Sequence, residues 1–282
     1  PFICPISPLH FPEAIVDAIV VLAEAGMPTA IISNPILGLT SPYTLAGGIA
    51  LSHAEVLAGI VMVQEMAPGL PVLHHATPSR GDMHTLVSIT GGPEVGLMRA
   101  TIAALARWCR IPSSVHGLHT SSPHLDLQTG QEKALNGLQV AYGRPDLLGG
   151  VGILANGMAT AYETIVLDNE ILGAIFRVLE GCRVDEDHLA LEIIAQVVAG
   201  DSFLVQPHTV KHLRSGEVWQ TRLAMRHETV KALAGEPTNA IVERAHHIAQ
   251  QLLSEHTVPP LPEGVQLDME DILSCAGEKS GS

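Results

Sequence analysis

The sequence predicts an α/β fold built on a parallel sheet, and three observations carry the prediction. Short apolar runs bounded by Pro, Gly and Ser alternate with long helically spaced segments every few tens of residues, the pattern of βα units. The helical segments open and close on ordinary boundary signals. The chain of 282 residues, 46% hydrophobic and only 16% charged, suits one large domain with a sizeable core.

FICPISP (2–8) reads as the first strand, followed by a helix over 11–26 that starts on Pro-Glu and stops at Gly26. TAIISNP (29–35) is the second strand, and the helix after it, about 44–67, ends at Pro68 and Gly69. PVLHHATP (71–78) precedes a helix over 93–110, PSSVHGLH (112–119) one over 128–142, and LLGGVGILA (147–155) one over 158–180. Beyond Gly181 the pattern is helical in 185–199 and 239–256, with a polar link at 206–227. Residues 1–258 therefore read as one domain and 259–282, of linker composition after Pro259, as a tail. Five units fit either a complete doubly wound sheet or the later part of an eight-stranded barrel. In both, the loops after the strands' carboxyl ends build the site.

Composition narrows the function. A net charge of −14, from 29 acids against 15 Lys and Arg, argues against a nucleic-acid partner. The most apolar stretch, 45–63, carries His53 and Glu55, so no membrane span is expected, and four scattered cysteines with no CxxC pair make a reducing cytoplasm the expected setting. The scattered Cys4, Cys109, Cys182 and Cys275 predict buried free thiols, with Cys4 in the core of its strand. The Gly pairs at 47–48, 91–92 and 149–150 lack a phosphate-cradle frame, the last pair sitting at the start of a strand. No GxSxG elbow is present.

The strand ends deliver polar side chains to one edge: Ser7 and His10, Ser33 and Asn34, His74 and His75, His116 and His119, and Asn156. His74 and His75 are neighbours on a strand and face opposite sides, so one of them enters a cavity and the other packs on a helix. His116, His119, His124 and Asp126 are also a possible zinc set, but no HExxH or HxH frame holds them and Pro123 interrupts it; no metal is expected. Glu132 opens a helix, where it either complements the dipole or holds a cation in the mouth.

SPLHF (7–11), NPILGLTSPYTLAGGIALSHAEVLAGIVMVQ (34–64), DLQTGQEK (126–133) and FLVQPHTVKHL (203–213) together resemble the trimethylamine methyltransferase family of corrinoid-dependent methyltransferases, in order and over about 1–230. The resemblance implies a (β/α)8 TIM barrel, of which this chain holds the later units plus C-terminal helices. Because the chain starts at Pro1 in a strand-like run, the earlier strands are expected to precede it. It implies methyl transfer from a methylated or quaternary amine, trimethylamine- or glycine-betaine-like, to the cobalt of a corrinoid (cobalamin) on a separate protein. Without pyrrolysine, the quaternary-amine branch is favoured. His119 and Glu132 are the expected catalytic residues, with Asn34, His75, His116, Asp126, Gln128, Lys133 and Asn156 binding substrate. His119 or Lys133 meets a betaine carboxylate, and Tyr43, Trp108 or Tyr142 supplies any aromatic face for the cation. A homo-oligomer or second polypeptide is expected to cover the open half-barrel.

HTSSPH (119–124) replaces the family's Asp-Ser-Lys, while Asp126, Gln128, Gly130 and Glu132 keep the rest of its motif. That departure concerns substrate more than fold. Two other functions compete: a zinc-dependent hydrolase using His116, His119 and Asp126, and a non-catalytic binding or assembly module.

Overall fold

An arc of parallel strands at the centre of the molecule positions the site. The computed structural model describes residues 1–224, 240–262 and 264–279. The chain runs β1 (Phe2–Ile3), α1 (Glu13–Glu24), β2 (Thr29–Ser33), β3 (Ile36–Leu37), α2 (Leu45–Met66), β4 (Val72–Ala76), β5 (Ser79–Gly81) and β6 (Ser88–Ile89). It continues through α3 (Pro93–Trp108), β7 (Ser113–His116), α4 (Leu127–Gly143), β8 (Leu147–Gly149), β9 (Ile153–Leu154), β10 (Ala159–Thr160) and α5 (Tyr162–Glu180). Helices α6 (Glu186–Leu189), α7 (Leu191–Val198), α8 (Pro207–Arg214), α9 (Ala240–Glu255) and α10 (Val265–Lys279) follow.

The main sheet has the order β1-β2-β4-β7-β8, all parallel. Neighbours in the sheet follow chain order with no reversal, whereas a doubly wound sheet needs a point where the order reverses. This is an α/β architecture compatible with part of a TIM barrel. Helices α1 to α3 cover one face of the arc through a core of Ile3, Ile19, Ile31, Val56, Ile60, Val63 and Ile102. Strand β2 is almost wholly buried, which explains its uninterrupted apolar run. Thr44 caps α2 by accepting from Gly47 N, and Asp126 caps α4 by accepting from Thr129 N, so both helices start where their sequences signal it. Helix α2 is long and apolar enough to cross a membrane by length and composition. Here it packs on β2 and β4 with Glu55 buried on its inner face.

Several expectations need correction. The first strand ends at Ile3, and Ile6 and His10 instead pair across a short bridge. Gly149 closes β8 rather than opening a strand. A small sheet, β3-β5-β6, sits over the carboxyl edge and was invisible because its strands are two or three residues long. The helical segment 185–199 is broken at left-handed Ala190. The link at 206–227 contains α8, started by Pro207, and its last three residues lie outside the described ones. Likewise the predicted helix at 239–256 begins one residue outside them, and the supposed tail contains α10. Cys4 and Cys182 are exposed and Cys109 half-buried, so the thiols are not core residues; the side chain of Cys275 lies outside the described ones.

Candidate active site

A cavity of about 340 Å³ lies at the carboxyl edge of the arc, and its polar lining comes from the strand ends and the small sheet. Asn34, His75, His116, His119 and Asn156 all line it, joined by Thr77, Ser79, Ser88, Thr90 and Arg99. The register explains the convergence. Ile32, His75 and Ser114 are direct partners across β2, β4 and β7, and His116, two residues beyond Ser114, shares their face.

The paired histidines of β4 divide as the strand period requires. His75 enters the cavity, its ring centroid 4.6 Å from that of His116, which is 5.0 Å from that of His119. His74 faces the helices, with its Nε2 3.0 Å from His53 Nδ1. Gly149 and Gly150 make room for the cavity rings. A Cβ at Gly149 would stand 2.7 Å from the His116 ring, and one at Gly150, whose φ is +90°, 2.8 Å from the His119 ring. The glycine pair that holds no phosphate is thus a seat for two imidazoles.

These rings are neutral at physiological pH. Burial, aided by neighbouring cations, lowers His75 to about 3 and His119 to about 2, and burial lowers His116 to about 4. Both nitrogens of His75 and of His119 are buried without a hydrogen-bond partner among the described residues. Asn156, in the left-handed conformation at φ 56°, accepts from Thr90 N and Oγ1 and so ties the fifth strand's loop to the small sheet. Asn34 accepts from the Thr77 hydroxyl in the same way.

Other expected site residues stand outside the lining. Asp126 divides its oxygens between Thr129 N and Ser122 Oγ, both 2.9 Å away, as a helix cap. Gln128 is exposed and donates to Glu132. Glu132 spends its carboxylate on protein donors: it accepts from Thr120 Oγ1 (2.6 Å), Ser121 N (2.7 Å) and Gln128 Nε2 (2.9 Å), which fixes the loop carrying His119. Lys133 is fully buried against Asp168 at 2.8 Å and the Leu118 carbonyl at 2.9 Å, so it is not available to a substrate carboxylate. Ser33 and Ser7 turn instead to buried Glu55, and His10 is exposed. Tyr43, Trp108 and Tyr142 are all exposed and none lines the cavity.

The zinc set does not assemble. Among the described residues, three or more such side chains with ligand atoms within 4.8 Å of one another occur only as Asp187/His208/His212 and His188/His212/Glu217, far along the chain from His116, His119 and Asp126.

Arg99 was missed, and among the described residues it is the one charged group on the lining. Its signal was legible: Val95, Arg99, Ile102 and Ala106 recur at helical spacing, which places a guanidinium in the buried stripe of α3.

Comparison with known proteins accords with this picture. The model of the trimethylamine methyltransferase family matches residues 2–276. A trimethylamine methyltransferase of Desulfitobacterium hafniense is 31% identical over 279 residues, covering 99% of this chain and 56% of the relative. A glycine betaine methyltransferase of the same species is 32% identical over 277 residues, covering 98% and 57%. A trimethylamine methyltransferase of Methanosarcina barkeri is 32% identical over 275 residues, covering 97% and 55%. The chain thus spans about half the length of the curated relatives it matches.

Proposed function

The chain belongs to the trimethylamine methyltransferase family, and from that premise we propose that it is the catalytic portion of a methyltransferase that takes a methyl group from a methylated amine and passes it to a corrinoid on a partner protein. The observation that carries the proposal is the cavity itself, with three neutral histidines gathered at the carboxyl edge of sequentially ordered parallel strands. We read residues 1–258 as five consecutive units of one eight-stranded barrel with its C-terminal helices, and the rest of the barrel as the cover for the concave face. Phe2, 63% exposed on that face beside His75, is the kind of side chain such a cover buries.

The proton requirement of the reaction agrees with a quaternary substrate. A quaternary ammonium loses its methyl with the C–N electron pair staying on nitrogen, so the leaving amine is neutral and needs no proton. Rings held near pKa 2 to 4 cannot deliver one at neutral pH, but they orient a ligand by hydrogen bonds and exclude water. His75, His116 and His119 with Asn34 and Asn156 take that role. Glu132 is the positioning residue that holds the His119 loop. The corrinoid, when bound, supplies a reduced cobalt nucleophile to which the methyl moves.

A docked carrier fits the rim, where the loops of this edge expose Leu39, Tyr43, Met83, Leu86 and Val87. The cytoplasmic setting and self-association remain part of the same proposal, the latter supported by exposed Leu267, Ile272 and Leu273 on α10. The test is spectroscopic. Mixed with a reduced corrinoid carrier, the protein should form methylcobalt on addition of a quaternary amine; no absorbance change across a panel of methylamines and betaines overturns the reading.

A further inference from the structure

Away from the cavity, a second group of ligand-type side chains gathers where α6, α8 and the loop after α8 meet. His212 belongs to both sets of three found there, Asp187/His208/His212 and His188/His212/Glu217. The second set is the better prepared. Asp185 caps α6 by accepting from His188 N at 2.9 Å, and the same Oδ1 stands 2.6 Å from His188 Nδ1. These bonds, the one from the ring first, hold the Asp185 carboxyl well below the usual carboxylate range, so in the neutral ring the proton sits on Nδ1. Nε2 then turns a lone pair toward Glu217 Oε2, 3.8 Å away. Two acceptors thus face each other across a gap too long for a hydrogen bond, and within about half an ångström of the ~3.3 Å between neighbouring ligand atoms around tetrahedral zinc. Arg177 fixes Glu217 in that pose: it donates from Nε and Nη2 to the Glu217 carbonyl at 2.9 and 2.7 Å and lies 3.7 Å from Oε1, which leaves Oε2 for His188. His212 joins from α8, its ring centroid 4.9 Å from that of His188 and its Nε2 3.1 Å from Asp187 Oδ2. A carboxylate therefore orients each imidazole, the arrangement that fixes tautomers around bound metal ions. In the competing set, Asp187 already holds the Lys211 ammonium at 2.6 Å, a cation where a metal ion would sit.

We propose that His188, His212 and Glu217 bind one zinc ion, with Asp185 as the positioning residue for His188 and the fourth ligand position left to water. Two imidazoles and one carboxylate suit zinc better than magnesium or calcium, which take oxygen shells. The charges allow it: Asp185, Asp187 and Glu217 stand against Arg183, Lys211 and Arg177, so the ion meets balanced rather than repelling surroundings. Glu217 also lines a cavity of about 200 Å³, which gives the ion a path in and the water ligand a place. The ion joins α6 and α8 to the loop that Arg177 ties to α5, so it clips the C-terminal helices to the domain. None of these residues lines the cavity at the strand ends, and the site asks nothing of the methyl-transfer reading.

The test titrates zinc chloride into the full chain, free of affinity tags and stripped with a chelator, and reads affinity by competition with a chromogenic chelator. One equivalent should bind, a large excess of magnesium should not displace it, and zinc should raise the melting temperature. His188→Phe and Glu217→Gln should each weaken binding by more than about a hundredfold and abolish the thermal shift, since even outer-shell losses cost 10- to 100-fold. Asp185→Asn keeps an acceptor for the cap of α6 and removes only the charge behind His188; it should weaken zinc by about tenfold with the metal-free melting temperature unchanged, and it keeps the test open if the ligand variants do not fold. His208→Ala should leave the affinity as it is. Binding of less than one equivalent, or affinity that survives in both His188→Phe and Glu217→Gln, overturns the proposal. Loss of zinc in His208→Ala with none in His188→Phe overturns it equally, by moving the ion to Asp187. An Asp185→Asn affinity equal to wild type overturns the positioning role.

Discussion

Arg99 and Lys133 occupy corresponding stations on adjacent helices. Each lies in the apolar stripe of its helix, α3 or α4, each is essentially fully buried, and each donates to a carbonyl near the carboxyl edge of β7, His116 O for one and Leu118 O for the other. Their surroundings differ in one respect. Lys133 has Asp168 at 2.8 Å, and that carboxylate also accepts from Gly152 N, so the pair locks α4 and α5 to the loop after β8. Arg99 has no carboxylate partner among the described residues and lines the cavity. A buried cation completed by the protein is part of the scaffold; one left incomplete is part of the site. Burial raises Asp168 and lowers Lys133, and each partner's charge opposes that shift in the other.

The largest expected effect tests the completed cation. Lys133→Met strands the Asp168 carboxylate in the interior and should cost about 3–5 kcal/mol in urea unfolding. Adding Asp168→Leu should restore most of it, because the pair is then replaced by apolar groups of similar volume. If the single and double variants are equally unstable, the ion pair is not what Lys133 contributes, and the contrast with Arg99 fails on the scaffold side.

On the incomplete side, the histidines make stability depend on pH with a definite sign. The folded-state pKa of His75, about 3, lies below its ordinary value of 6.5, so its contribution is fully present above about 6.5 and is lost as pH falls toward 3. One such ring accounts for about 2 kcal/mol of destabilisation between pH 7 and pH 5, at about 1.4 kcal/mol per pH unit. His75→Gln should shrink the wild-type loss over that interval by this amount, read from urea midpoints at the two pH values. An unchanged loss means that the folded protein already hydrates or protonates the ring.

How much of this was legible follows from where each signal lives. Thr44 and Asp126 announce α2 and α4 because a cap is a local hydrogen bond, written within three residues of sequence. The strand-end rule found His75, His116 and His119 because strand polarity alone decides which edge they reach. It could not separate Glu132 and Lys133 from the site, since their partners, Thr120, Ser121 and Asp168, are fixed only by tertiary packing. Arg99 was hidden for the converse reason: the rule looks at loops, and the residue comes from a helix. Asp126 is the intermediate case, named as a binder and used as a cap. Asp126→Ala should cost about 1 kcal/mol of stability and leave betaine affinity intact; a binding loss without a stability loss would return it to the site.

The smallest expected effect on stability is the most telling about the comparison. Arg99→Met removes two hydrogen bonds to carbonyls, but it also removes an uncompensated buried charge, and methionine fills much of the aliphatic stem's volume. The two terms oppose, so the unfolding free energy should stay within about 1 kcal/mol of wild type, several-fold less than for Lys133→Met. Ligand linkage then separates the variants further. Saturating glycine betaine should raise the melting temperature of the wild type and of the Lys133→Met/Asp168→Leu double variant, whose site is untouched, and should leave Arg99→Met unmoved. A betaine shift that survives in Arg99→Met would remove the guanidinium from the site, and a stability loss as large as that of Lys133→Met would make Arg99 a scaffold cation like its neighbour.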